Sequence, residues 1–344
     1  MISNIDNEFL RHEQRLKTIL DTNNNIVVAI YGDWGVGKTH FWKAFCDKYY
    51  KDNNIYISLI GKSDIVVIKE NLILNLTKHN KVICKIKQII NSVKFALNFD
   101  IVTFGASVAN LFDLISKKDF SNKIICFDDL ERMDSRILQG VLGLINELKE
   151  HKGCKVVLIF NKNKLNSADF FAKDKIIDRE IMLNPSAESS LKIAKNGLNI
   201  DSTAELIIKN YCIDKGITNI RVIRRIFDDF MRFEKEINCD FGKVAPQILD
   251  ILVRFSAINA MEIGVDLMRL HLFYVVKRDN LENKQDIKEL FSDWEITLFE
   301  QYFYYMENLS NNVRLGDIVN IIARFINAES LSDRDKVEIV KFRL

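Results

Sequence analysis

Proline and glycine are scarce in this sequence, with 2 Pro and 13 Gly among 344 residues. Because both residue types interrupt regular structure, their scarcity predicts long helices, with strands confined to one region. An excess of charge of one sign is also missing, since 49 basic and 47 acidic residues leave a formal net charge of +2. That balance provides no overall field that would favour nucleic acid or an anionic membrane as partner.

Paired cysteines and metal-ligand spacings are absent as well. The six cysteines include no C-x-x-C pair, and the five histidines show no spacing typical of metal ligands. Disulfides and a zinc site are therefore disfavoured. Reduced, buried thiols in a cytoplasmic protein are the simplest interpretation.

Hydrophobic runs long enough for a membrane are also lacking. The opening residues MISNIDNEFLRHEQRL contain no apolar core of a signal peptide. The segment 94–115 is the one to test as a span, but its longest uncharged run, between Asp100 and Asp113, has 12 residues. A transmembrane helix needs about 20. We predict a cytoplasmic protein with no membrane span.

Apolar runs alternate with amphipathic segments in the first half of the chain. Strands are predicted at 26–31, 54–61, 123–127, 155–160 and 179–183. Helical patterns separate them, and this alternation indicates right-handed crossovers and a parallel sheet. The predicted fold class is therefore α/β, with a three-layer domain.

The same pattern gives the predicted domain boundaries. The α/β domain covers residues 1–184, with a helical insert at about 63–120. After Pro185 the strand pattern largely disappears, which predicts a helical lid at 185–240 and a helical C-terminal domain at 241–344.

Residues 32–39 read GDWGVGKT and fit the pattern G-x-x-x-x-G-K-[ST]. An apolar strand precedes the loop and a helix follows it, which is the context that a phosphate-binding loop needs. Loop N–H groups and the helix N-terminus form a site for phosphates. The competing interpretation is a glycine turn before a helix. The predicted nucleotide-binding residues are Gly32, Asp33, Trp34, Gly35, Val36, Gly37, Lys38, Thr39 and, through its backbone N–H, His40.

Two further groups complete the predicted ATP and Mg²⁺ site. Lys38 can reach the β- and γ-phosphates as a catalytic residue, and the Thr39 hydroxyl is placed as a Mg²⁺ ligand. In IICFDDLER, Asp128 follows four apolar residues and is predicted to hold Mg²⁺, through water. Asp129 is predicted to orient or deprotonate the attacking water. Two aspartates that merely begin a loop are the alternative.

Polar residues farther along the chain are predicted to join this site. Asn161 ends the strand KVVLIF and could contact the attacking water or the γ-phosphate, although a turn-forming Asn is the alternative. In TNIRVIRRIF, Arg221 and Arg224 lie off the apolar face of a helix, as does Arg225. One of them could touch the γ-phosphate, and a solvated basic face is the competing interpretation.

The sequence resembles the KAP family of P-loop NTPases, in the group that also holds AAA+ and STAND ATPases. The resemblance rests on five segments in this order: IYGDWGVGKT, IYISLIG, CFDDLERMD, VVLIFN and NIRVIRRI. The resemblance covers about residues 5–235. It implies an ATPase with Asp129 at the catalytic acidic position and Asn161 at the sensor-1 position. An arginine of 221–225 would take the sensor-2 position of a helical lid.

The resemblance also implies a homo-oligomeric switch in which an arginine or lysine of a neighbouring copy completes the site. Arg132, Arg179 and Lys175 remain open alternatives for that role. Many bacterial members resemble parts of antiphage defence systems that have effector domains or an effector partner protein. KAP proteins often carry membrane helices between the two Walker motifs, but residues 80–118 are too polar to span a bilayer.

The leading hypothesis is an ATP-hydrolysing switch whose oligomeric or conformational state follows the nucleotide. An ATP-gated sensor or scaffold with little turnover is a second hypothesis. A DNA-associated ATPase is a third, but it needs a basic face on residues 241–344, for which the sequence offers thin support.

Overall fold

The computed structural model describes residues 4–76, 112–164 without 114 and 121, 176–261 without 240, 265–278, 287–306 without 289, 313–327 and 330–342. The chain divides into two compact units, Met1–Asn184 and Pro185–Leu344. Most of the predicted insert, including residues 94–111, lies outside the described residues, as does Lys175. None of the described helices is both long enough and apolar enough to cross a bilayer.

The first unit is built on a parallel five-stranded sheet of order β2-β3-β4-β1-β5. The strands are β1 (Val27–Tyr31), β2 (Asn54–Ser58), β3 (Ile124–Asp128), β4 (Lys155–Phe160) and β5 (Arg179–Met182). The helices are α1 (Asn4–Leu20), α2 (Lys38–Tyr49), α3 (Ile65–Leu76), α4 (Lys117–Phe120) and α5 (Ser135–Glu150). The predicted α/β class and parallel sheet are confirmed.

Alternation along the central strands separates two hydrophobic cores. Ile124 and Cys126 of β3 pack with α1 and α2 on one face of the sheet. Ile125 and Phe127 point to the other face and pack with α3 and α5. Because successive side chains of a strand point to opposite faces, one apolar run supplies both cores. The result is the predicted three-layer arrangement.

One strand boundary differs from the sequence prediction. β2 ends at Ser58 rather than at residue 61, since the chain turns at residues 60–61 and Gly61 has φ +70°. In α2, the aromatic side chains of Trp42 and Phe45 are buried, at 0% and 2% exposure. Tyr49 is only half-buried, and its hydroxyl donates to Glu13 at 2.6 Å.

The regular secondary structure in the described part of the second unit is all helical, with turns and loops between the helices. Its helices are α6 (Ala187–Lys195), α7 (Ser202–Asp214), α8 (Ile220–Ile237), α9 (Pro246–Met261), α10 (Leu267–Arg278), α11 (Asp293–Met306), α12 (Val313–Ile326) and α13 (Asp333–Lys341). The side chain of Asn219 accepts from the N–H groups of Arg221 and Val222 and so caps α8.

A single hydrophobic core runs through this unit, from Leu191 in α6 to Ile339 in α13. Residues on both sides of the predicted lid boundary at 240 belong to it. Phe241 packs against Phe230 and Phe233, with ring centroids 5.7 and 6.3 Å apart.

Candidate functional site

The loop of residues 32–37 joins the end of β1 to the start of α2, and two of its three glycines are required for different reasons. Gly37 has φ +90° and immediately precedes α2, in a left-handed conformation that L side chains rarely adopt. A Cβ at Gly32 would lie 2.2 Å from the carbonyl oxygen of Leu183. The loop therefore needs glycine at its last position for conformation and at its first for space.

Lys38, the first residue of α2, folds its ammonium group back over this loop. Its Nζ donates to the carbonyl oxygens of Gly32 at 2.9 Å and Asp33 at 2.8 Å. Burial lowers the pKa of Lys38, and the carboxylates of Glu131 and Asp128 act in the opposite direction. An ammonium group that is half-buried beside a loop of N–H donors is well placed to meet phosphate oxygens.

The next residue, Thr39, meets Asp128 at the carboxyl end of β3. The Thr39 hydroxyl donates to Oδ2 of Asp128 at 2.7 Å, and Asp128 is 2% exposed. The same Oδ2 accepts from the hydroxyl of Tyr56 at 2.7 Å, and Oδ1 accepts from the N–H of Asp129 at 2.8 Å. Thr39 and Asp128, the two residues predicted to hold Mg²⁺, are thus in direct contact, and their role toward the metal stays a prediction.

These oxygen donors fit Mg²⁺. A hydroxyl beside a buried carboxylate supplies the hard ligands that Mg²⁺ prefers, directly or through water. Within the described residues no salt bridge reaches Asp128; its hydrogen bonds come from neutral donors, and the Lys38 ammonium acts on it only at longer range.

Asp129 occupies an unusual backbone position. It has φ +64° and directly precedes a short 3₁₀ turn at Leu130–Arg132. Its carboxylate accepts from the Ser58 hydroxyl at 3.3 Å and lies 3.6 Å from Nε of Arg132. Burial raises the pKa of Asp129, and the neighbouring carboxylates of Asp128 and Glu131 raise it further. A raised pKa makes this carboxylate a better proton acceptor than an ordinary aspartate.

Trp34, at the tip of the loop, is tied to the segment after β3. Its indole N–H donates to Glu131 at 2.9 Å, and 44% of the residue is exposed. The Arg132 guanidinium and the Lys164 ammonium lie 5.3 and 5.1 Å from its rings. These cation–π contacts and the hydrogen bond hold the tip of the loop against two neighbouring turns.

Asn163 makes hydrogen bonds to both Asn161 and Asp33 and so links the two residues. Asn161 is 3% exposed and follows β4, and its side-chain oxygen accepts from the Asn163 N–H at 3.0 Å. The Asn163 amide in turn donates to Asp33 at 3.0 Å. Asn161 thus follows the strand next to the one that ends in Asp128, as predicted.

The predicted arginines lie in the second unit, and their approach to the nucleotide stays a prediction. Arg224 donates to the carbonyl oxygens of Ala194 and Asn196, at 2.9 and 3.0 Å, and so ties α8 to the end of α6. Arg221 and Arg225 are exposed.

The remaining predicted residues have local settings. Arg132 lies within reach of its own chain's Asp129 and Trp34. Arg179 is exposed and donates to the carbonyl oxygen of Asp178, and His40 is exposed.

Sequence reasoning missed Tyr56, Ser58 and Glu131. Tyr56 and Ser58 alternate with the buried Ile55 and Ile57 along β2, so that period of two could have placed them on one face. The sequence holds no signal that pairs this face with Asp128.

A parallel sheet with a glycine-containing loop between β1 and α2 is the defining arrangement of one fold. The first unit has a P-loop NTPase fold. Its residues 12–109 fall within a match to the KAP family P-loop domain, which includes the loop and ends before Asp128. No curated protein matches the chain.

Three solved structures that the chain resembles share 12–15% of its sequence. Cdc6p from Pyrobaculum aerophilum is 15% identical, with a TM-score of 0.50 and 96% of each chain covered. The ORC2 protein of Aeropyrum pernix, solved as ADPNP-ADP complexes, is 12% identical with a TM-score of 0.45 and 94% of each chain covered. Domain III of DnaA from Thermotoga maritima is 15% identical, with a TM-score of 0.39 and 68% of this chain and 87% of that chain covered. At such identities the first of these supports the fold alone.

Proposed function

We propose that this protein is an ATP-binding and ATP-hydrolysing molecular switch. The contact between Thr39 and the buried Asp128 carries the proposal, because it places a hydroxyl and an unpaired carboxylate beside the phosphate-binding loop. Lys38 adds the positive charge that phosphates need.

Each residue has a separate task in this proposal. Loop N–H groups and Lys38 hold the phosphates, and Thr39 and Asp128 hold Mg²⁺. When bound, Mg²⁺ neutralises charge on the β- and γ-phosphates. Asp129 orients the attacking water and accepts its proton. Asn161 contacts that water or the γ-phosphate, and Arg221 or Arg224 takes the predicted arginine role toward the γ-phosphate.

The direct test is phosphate release from ATP by the purified full chain. We expect Lys38→Ala to weaken ATP binding by roughly 100-fold, since a charge-assisted contact to phosphate is lost. Asp129→Asn should bind ATP within about threefold of the wild type but hydrolyse it at least about 100-fold more slowly. Wild-type hydrolysis equal to that of both variants would refute the proposal.

A second candidate is an ATP-gated sensor or scaffold with little turnover, which recruits an effector or binds DNA. The contacts of Asp129 favour it, because Ser58 and Arg132 both hold the carboxylate that would act on water. Under this alternative, Asp129→Asn keeps any ATP-dependent change of state, whereas Lys38→Ala abolishes it. Under the switch proposal, repeated cycling requires Asp129.

The proposal has a wider part that rests on resemblance to the KAP family. The protein forms homo-oligomers in the cytoplasm, acts with an effector partner and serves antiphage defence. Size-exclusion chromatography with mass measurement, run without nucleotide, with ADP and with a non-hydrolysable ATP analogue, tests the oligomer. A monomer in all three states would exclude it.

A further inference from the structure

Tyr56 is a site residue whose position follows from strand alternation. Ile55 and Ile57 of β2 enter the core shared with α3 and α5, so Tyr56 lies on the opposite face, which α2 covers. In the sheet register Tyr56 pairs with Cys126, and Ser58 pairs with Asp128. Tyr56 is thus a diagonal neighbour of Asp128, within reach of a long aromatic side chain.

The contacts of Asp128 show what Tyr56 does for that carboxylate. Its Oδ2 accepts from the Tyr56 and Thr39 hydroxyls, each at 2.7 Å, and its Oδ1 accepts from the N–H of Asp129 at 2.8 Å. A carboxylate has about four acceptor positions, so these three donors fix its orientation. Among the described contacts, one acceptor position of Oδ1 is left, which could take Mg²⁺ directly or a water bound to it.

The phenol of Tyr56 is a dependable donor. A phenol hydroxyl carries one proton that it can donate, and Oδ2 of Asp128 accepts it at 2.7 Å. The Lys43 ammonium, from α2, lies 4.9 Å from the ring centroid and helps to hold the ring.

We propose that Tyr56 is a positioning residue for Mg²⁺: its phenol orients Asp128 so that the Mg²⁺ complex of a nucleotide binds more tightly than the free nucleotide. The proposal rests on the nucleotide site proposed above. Mg²⁺ demands nearly ideal octahedral geometry, so a carboxylate free to rotate lowers its affinity. Free nucleotide relies on the loop and Lys38, and no described contact joins Tyr56 to either of them.

The test compares ADP binding by calorimetry in excess Mg²⁺ and in EDTA, using the full chain. The ratio of the two dissociation constants defines the Mg²⁺ enhancement. For Tyr56→Phe we expect an EDTA value within about twofold of the wild type and an enhancement reduced roughly 5- to 20-fold, as for one lost bond to a charged group. Circular dichroism and thermal unfolding check that the variant is folded.

Tyr50→Phe is the matched control. Tyr50 packs against the same core as Tyr56, and its hydroxyl also donates to an aspartate, Asp21, but not to Asp128. Its Mg²⁺ enhancement should equal that of the wild type. Thr39→Ala, which removes the proposed ligand itself, should abolish the enhancement.

Two results would overturn the role of Tyr56 and leave the nucleotide site intact. One is an unchanged enhancement in Tyr56→Phe. The other is equal weakening in Mg²⁺ and EDTA, which would mean that Tyr56 acts through the shape of the loop. If the wild type binds ADP in neither condition, the proposed function fails together with this inference.

A second measurement avoids removing the phenol. With 3-fluorotyrosine at position 56, the ¹⁹F resonance should shift when Mg²⁺ is added to the ADP-bound chain, and much less when ADP is added in EDTA. An unchanged resonance on Mg²⁺ addition would count against the proposal even if Tyr56→Phe does not fold.

Discussion

Buried acidic side chains are treated differently in the two units. In the second unit, Glu295 and Asp335 are each 7% exposed and each is paired with an arginine, Arg269 and Arg324 respectively. In the described part of the first unit, Asp128 is 2% exposed and accepts hydrogen bonds from hydroxyl and N–H donors, with no salt bridge. An unpaired buried charge is costly, and the cost would be offset by the Mg²⁺ that we propose to bind there.

The comparison also separates two kinds of stabilisation. Glu295 accepts from Arg269 and from both the hydroxyl and the N–H of Ser292, at 2.7 and 2.9 Å, so it joins α10 to the start of α11. Its hydrogen bonds hold helices together. The hydrogen bonds of Asp128 instead orient one carboxylate at the carboxyl end of β3, and in parallel sheets the carboxyl ends of the strands commonly carry ligand-binding residues.

The largest expected effect comes from Asp128→Asn. This change keeps the shape of the side chain and removes the unpaired charge, so Mg²⁺-dependent ATP hydrolysis should fall at least about 100-fold. The unfolding midpoint of the ligand-free chain should not fall, because no ion pair is broken. Phosphate release and thermal unfolding measure the two effects. A large loss of stability would mean that Asp128 stabilises the fold, as the arginine-paired Glu295 and Asp335 do.

Hydrolysis should also depend on the protonation of Asp129. Since the pKa of Asp129 is raised by burial and by Asp128, the active ionised form is lost as the pH falls through a value above the ordinary 3.8. The turnover number should therefore show an acidic limb that decreases toward low pH. A profile of turnover against pH tests this. If Asp129→Asn retained the same limb with substantial turnover, another group would be responsible.

The residues of the candidate site that lie in local sequence patterns could be predicted, whereas the contacts between distant positions could not. The loop, Thr39 and Asp128 have strong local patterns, because a buried apolar strand followed by polar residues indicates the carboxyl end of a strand in a parallel sheet. Tyr56 contacts Asp128 across 72 positions of chain, and Trp34 contacts Glu131 across 97. Such pairs depend on strand order and register, which a single sequence does not specify.

The helical unit was less predictable for a related reason. Periodicity identifies its helices and apolar faces such as that of α8, where Ile223, Phe227 and Phe230 are buried. It does not tell which helices share one core. The single core that spans both sides of residue 240 forms through packing among distant segments.

Glu295→Gln should destabilise the second unit and leave nucleotide binding unchanged. Arg269 lowers the pKa of Glu295 to about 2, with help from Ser292. A lowered carboxylate pKa means that its stabilisation is complete above about pH 4.5 and is lost as the pH falls toward 2.

The difference in unfolding free energy between wild type and Glu295→Gln should therefore be about 1 kcal/mol at pH 7 and should shrink in acid. Urea unfolding at several pH values measures it. Affinity for ADP should stay within about twofold of the wild type, because the described hydrogen bonds of Glu295 are to Arg269 and Ser292 of its own unit. A constant difference across this range would show that the ion pair is not the cause.

The smallest expected effect comes from Trp34→Phe. The change removes the indole N–H that reaches Glu131 and weakens the cation–π contacts of Arg132 and Lys164. ATP affinity should fall by roughly two- to fivefold, as for a partly exposed hydrogen bond. Trp294→Phe is the control, since Trp294 is 67% exposed and lies in the second unit. Equal effects of the two changes would rule out a specific role for Trp34.

We propose above that the first unit binds Mg²⁺ and ATP through the carboxylate of Asp128. Calorimetric titration of the Asp129→Asn variant of the 344-residue chain with ATP measures this binding without interference from hydrolysis. We expect about one ATP per chain in the presence of Mg²⁺, with affinity reduced when Mg²⁺ is replaced by EDTA. No binding at ATP concentrations up to about 1 mM, or equal affinity with and without Mg²⁺, would contradict it.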